Sequence, residues 1–172
     1  MAHWLFYVER ALVRFGGWDK AVCQNLAAQE YSSSEPGERQ NIRLLEQIRK
    51  GDWLVAGRAV RFAGYAEAVS DFYRGGPSLN VVFKRGGQRF PMRERVDVHW
   101  HLVPGYEHEK NWLDLHDFKD ELLQDAADRG ESVTWSEIDF RPGRCVWPIG
   151  KSVFEEVRRR LDAAGARRVK SR

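Results

Sequence analysis

The sequence predicts an α+β fold, a small mixed sheet or barrel flanked by helices. Runs rich in aromatic and β-branched residues recur at His3–Val8, Trp53–Ala56, Val60–Val69 and Val96–Trp100, as buried or half-buried strands require. Apolar residues at helical spacing recur between and after them, around Val22, Ile42, Leu115 and Val153. The 172 residues suffice for one complete core and are too few for two ordinary domains. The expected organisation is one domain over residues 1–165 and a basic tail over 166–172.

Taken in order, His3–Val8 reads as a first strand, followed by a turn through Phe15-Gly16-Gly17-Trp18. Asp19 is expected to cap a helix running to Ala28, because a short carboxylate accepts orphan amide hydrogens and Val22, Cys23 and Leu26 share a helix face. Ser32–Gly37 breaks the pattern. Ile42, Leu45 and Ile48 predict an amphipathic helix ending near Lys50-Gly51. Two strands then flank Gly57-Arg58 as a hairpin, and Val81–Phe83 pairs with the segment around Phe90 across Arg85-Gly86-Gly87. Val96, Val98 and Trp100 alternate with polar residues, which buries one face of that strand. Helices over Leu115–Ala127 and Val153–Leu161 complete the chain.

Hydrophobic residues make up 42% and charged residues 31%, the balance of a folded protein rather than a disordered one. No apolar run approaches the roughly 20 residues that span a bilayer, and the first residues lack the pattern of a secretory leader. The cytoplasm is therefore the expected compartment, with no membrane partner. Cys23 and Cys145 are too sparse for a zinc ribbon or a disulfide framework.

The net charge of +3 is modest, but its distribution is uneven. Between Arg74 and Arg95 six basic residues face the single acid Glu94, a segment suited to following phosphates. Glu107–Asp139 is acidic, and the C-terminus is basic again.

Several separated stretches resemble the EVE domain and the N-terminal modules of McrB-type restriction systems. His3-Trp4-Leu5-Phe6 with Glu9 is similar to the family's first strand and the acid that follows it. Trp18-Asp19 with Val22 and Asn25 resembles its Trp-Asp segment. Gly51-Asp52-Trp53-Leu54-Val55-Ala56 followed by Gly64-Tyr65-Ala66-Glu67-Ala68-Val69-Ser70 resembles its Gly-Asp strand and Gly-x-Ala-Glu-x-Val-Ser strand, and Arg95–Trp100 its later strand. Tyr7-Val8 stands where that family often carries Lys-Ser, and the helix lacks the usual Arg-Asn pair.

The resemblance implies a PUA-like barrel of the EVE/YTH type that reads a modified, expectedly methylated, base in double-stranded DNA, held out of its stack in an aromatic pocket. RNA is the alternative target. It also implies a restriction or defence setting with an effector nuclease or NTPase subunit, and no cofactor. The expected pocket is Trp18, Tyr73, Phe72 and Trp53, with Asp19, Glu9 and Asn25 as polar readers. Arg74, Lys84, Arg85 and Arg89 would hold the backbone. Each has a structural alternative: Trp18 and Trp53 as core aromatics, Asp19 as a helix cap, the basic residues as a solvated hairpin. Trp18→Ala is expected to weaken binding and leave the fold intact.

No Walker loop, nucleophile elbow or dinucleotide fingerprint occurs, so catalysis is not expected. His99-x-His101 puts two imidazoles on one strand face, and a metal-dependent hydrolase is the rival this leaves.

Overall fold

The computed structural model describes residues 1–8, 13–14, 16–24, 26–29, 43–76, 80–82, 89–91, 93–130 and 146–170. Nine strands among them form one mixed sheet. β1 (His3–Tyr7) lies parallel to β3 (Trp53–Arg58) and antiparallel to β10 (Val146–Pro148), and β3 continues antiparallel to β4 (Arg61–Ala68). The long β8 (Glu94–Leu102) pairs through its C-terminal half with β4 and with β11 (Arg167–Arg168). Its N-terminal half pairs with β2 (Leu26–Gln29) and β5 (Tyr73–Arg74), so the sheet branches and curls into a partial barrel. β9 (Leu113–Asp114) adds to β4, and β6 (Asn80–Val82) with β7 (Arg89–Pro91) forms a separate hairpin.

Strand alternation sorts the core into two layers. Trp4, Phe6, Leu54, Ala66, Val96, Val98 and Trp100 face one side, where α1 (Gly17–Cys23) adds Trp18, Ala21 and Val22. Leu5, Val55, Phe62 and Tyr65 face the other, covered by Val153, Phe154, Val157 and Leu161 of α3 (Lys151–Ala163) and by Leu122 of α2 (Lys119–Asp128). No helix among the described residues is long and apolar enough to cross a membrane.

Several expectations need correction. The helix at Asp19 starts two residues earlier, after Gly16 in the left-handed conformation (φ 75°) that a glycine adopts at little cost, and Asp19 lies inside its first turn. It stops at Cys23. Leu26–Gln29 is a strand because pairing with β8 outweighs the helical spacing of Leu26. The β3–β4 turn falls at Ala59-Val60, not Gly57-Arg58, since a register shift after Ala56 lengthens the strand. Residues 43–45 are helical, with Leu45 and Ile48 buried as expected, and Ile42 lies outside the described residues. The pairing of Val81 with Phe90, the burial of Val96, Val98 and Trp100, and the two C-terminal helices match the sequence reading. Residues 167–168, read as tail, hydrogen-bond into the sheet.

Candidate nucleic-acid interface

Trp18 is fixed by α1, which begins immediately before it. The ring is 2% exposed and meets Trp100 edge-on at 5.1 Å and Tyr106 at 6.5 Å, with interplanar angles of 78° and 88°. Trp100 is held in turn, its indole N–H donating to the Leu26 carbonyl at 3.0 Å. The Trp18 indole N–H is buried and has no hydrogen-bond partner among the described residues.

Asp19, the next residue, accepts a 2.8 Å hydrogen bond from the Tyr106 hydroxyl and a weak 3.8 Å contact from the Cys23 thiol, both at Oδ1. Burial, and then the bond to this carboxylate, push the Tyr106 hydroxyl well above the ordinary tyrosine value. It therefore stays a donor. Its loop is anchored because the Tyr106 carbonyl accepts the buried Trp112 indole N–H at 2.7 Å and Asn111 Nδ2 donates to the Gly105 carbonyl at 3.0 Å. Tyr106 packs on Trp18 and bonds Asp19, contacts that sequence reasoning missed, since no local pattern links it to Trp18.

The remaining aromatic candidates separate. Phe72 is half-buried and packs against the same core layer as Trp18, with the Arg74 guanidinium 5.6 Å from its ring centroid. Tyr73 sits on β5 opposite Arg95 and donates to Asp97 Oδ1 at 2.7 Å. Burial first, and this bond second, push its hydroxyl up to about 12. Trp53 lies in the other layer, its ring 5.6 Å from Phe154 and 6.2 Å from Tyr65. Period-two alternation puts it with Val55 and opposite Leu54, so the sheet stands between it and Trp18.

Glu9, Asn25, Lys84 and Arg85 lie outside the described residues, and of Arg89 the structure describes only its strand, β7. Arg74 is half-exposed, with Nη2 2.5 Å from Glu46 Oε1 and Nε 3.9 Å from Glu94 Oε1. Two acids thus already neutralise it. His99 and His101 share a strand face as expected, but no group of three or more metal-ligating side chains occurs among the described residues. A cavity of about 700 Å³ between α2 and the start of α3 is lined by Asp125, Asp128 and Glu155 alongside Arg129 and Lys151. Asp125 there accepts the Gly150 N–H that opens α3, so the helix end is satisfied by the protein itself.

No protein-family model matches the sequence. No curated protein matches it either. Solved structures do. The chain is similar to Rpa0253 of Rhodopseudomonas palustris at 17% identity, covering 95% of this chain and 94% of that one with a TM-score of 0.51. A hypothetical protein from Leishmania major is similar at 18% identity, 95% and 96% coverage and a TM-score of 0.52. The Pho92 YTH domain in complex with m6A is similar at 12% identity, 97% and 89% coverage and a TM-score of 0.51. The architecture is an α+β fold shared with the Pho92 YTH domain.

Proposed function

We propose that this chain is a non-catalytic reader that binds nucleic acid and takes one modified base, a methylated base first of all, into the aromatic site at Trp18. The observation that carries the reading is the Trp18–Asp19–Tyr106 arrangement, on a fold shared with a YTH domain solved with m6A. An aromatic ring restores about 1–3 kcal/mol of the stacking an extruded base has lost. The Asp19 carboxylate and, once the site opens to admit a base, the buried Trp18 N–H supply one acceptor and one donor, which read an edge that stacking alone does not distinguish. A methyl group adds apolar area that favours such a site over water.

DNA is the first target and RNA the second, because stacking and edge contacts are common to both polymers. A cytoplasmic restriction or defence setting, with a nuclease or NTPase partner supplying the chemistry, follows from the likeness of Gly51–Ala56 and Gly64–Ser70 to McrB-type modules. The test is titration of matched duplexes containing unmodified, N6-methyladenine, 5-methylcytosine or 5-hydroxymethylcytosine bases, with matched RNAs alongside. Preference for one modified form at near-physiological salt supports the reading. Equal binding to all that vanishes with salt removes it.

A further inference from the structure

We infer that the sheet face opposite Trp18, at its β8–β11 edge, is a second nucleic-acid contact surface that grips the phosphodiester backbone. The strand register places Tyr65, His101 and Arg168 side by side in one cross-strand row. Val169 packs with the Trp18 layer, so Arg168 projects on the His101 side, and the exposed Lys170 follows two residues later. Their backbone positions are about 6.6 Å apart, close to the spacing of neighbouring phosphates along a strand.

This row is held rigidly from beneath. Tyr65 and His101 stack at 4.8 Å with their planes 7° apart, and the Tyr65 hydroxyl donates to Asp162 Oδ1 at 2.7 Å. Arg158 of α3 stands over Trp53 at 4.9 Å and Tyr65 at 5.2 Å. These rings are covered or buried, so the surface offers cations to phosphates rather than faces to bases. Charge pairing separates it from the paired arginines elsewhere in the molecule. Arg58, Arg61, Arg74, Arg129 and Arg160 each face a carboxylate, and Asp162 is shared between Tyr65 and Arg158. The exposed Arg167, Arg168 and Lys170 have no acidic partner among the described residues. Cations left without acids beside one another on a fixed strand complement a polyanion.

The experiment measures binding of an unmodified duplex and an unmodified single-stranded RNA to the full chain and to Arg168→Glu/Lys170→Glu. Lys119→Glu/Arg129→Glu on α2 is the control of equal charge change, and thermal melting verifies each fold. The inference expects affinity to fall at least about tenfold in the β11 variant only, and the salt dependence on duplex to flatten by about 0.9 in log–log slope for each phosphate no longer neutralised. Equal losses in both variants would mean net charge alone, and an unchanged β11 variant would mean that this edge does not touch the backbone; either overturns it. Binding to phosphatidylserine vesicles but to neither nucleic acid, abolished in the β11 variant, overturns it in favour of a lipid surface. The pocket reading fails separately, through absent preference for a modified base, and leaves this outcome unaffected.

Discussion

The Tyr106 hydroxyl donates to Asp19 Oδ1 at 2.8 Å, joining the loop after β8 to the first turn of α1 across 87 residues of sequence. The bond holds the carboxylate of the residue that follows Trp18. Tyr106→Phe keeps the ring edge against Trp18 and removes only the donor. Stability should fall by about 1 kcal/mol, read by urea unfolding. Affinity for the preferred modified oligonucleotide should fall several-fold while binding to unmodified nucleic acid stays level. Unaltered affinity for the modified form would take Asp19 out of the reading edge.

Trp18 requires a gentler probe than alanine. With 2% of the residue exposed and two rings packed on its edges, Trp18→Ala opens a core cavity costing about 3–5 kcal/mol, against a total of about 5–15 kcal/mol for a domain. That cost bears directly on the expectation that this substitution leaves the fold intact. Trp18→Phe retains an aromatic face and discards the indole N–H. It should remain folded and lose discrimination between base edges more than affinity. Loss of neither, in a folded variant, would remove Trp18 from the pocket.

Asp52 gives the Gly51-Asp52 motif a structural role. Its buried carboxylate accepts the Ala2 N–H at 2.7 Å, the Arg49 N–H at 3.0 Å and the Trp4 indole N–H at 3.1 Å, tying the N-terminus and the entry to β3 together. Asp52→Ala strands three donors, so a loss of about 2–4 kcal/mol is expected, visible as a lowered Tm. A change below about 0.5 kcal/mol would show that water replaces the carboxylate.

Gly64 is required by space. A Cβ there would lie 2.1 Å from the His101 carbonyl oxygen and 2.8 Å from Leu102 Cα, both backbone atoms of the paired strand. Gly64→Ala must push β4 and β8 apart where the two core layers meet. Soluble expression should drop, with unfolding shifted by several kcal/mol. Native-like stability would mean that the strands separate easily here.

Strands with several turns of alternation were legible, as Val96, Val98 and Trp100 show, and so was α3 from Val153, Phe154, Val157 and Leu161. β9 and β11 are two residues long and β10 three, too short for any period to register. Leu26 misled because it continues the helical spacing of Val22, and only the partner strand decides against that. For the site, the Gly16-Gly17-Trp18 turn was visible but the depth of Trp18 was not, because Trp100 and Tyr106 arrive from distant sequence. Alternation alone separates Trp53 from Leu54. Which side α1 covers is a tertiary fact.

His101 should make stability sensitive to acid. Burial, with Arg158, Arg168 and His99 nearby, lowers its pKa below the ordinary 6.5, while Asp162 pulls the other way and Tyr65 stacks on its ring. A folded pKa below the unfolded one means the unfolded chain takes the proton first. The contribution is therefore complete above about pH 6.5 and is lost as pH falls through the folded value. His3 is lowered by burial in the same direction, so both act together. Thermal melts stepped downward from neutral pH should show a falling Tm, with a shallower fall in His101→Gln. NMR titration of the imidazole supplies the site-specific readout: a midpoint at or above 6.5 would mean that the ring is better hydrated than its stack on Tyr65 implies.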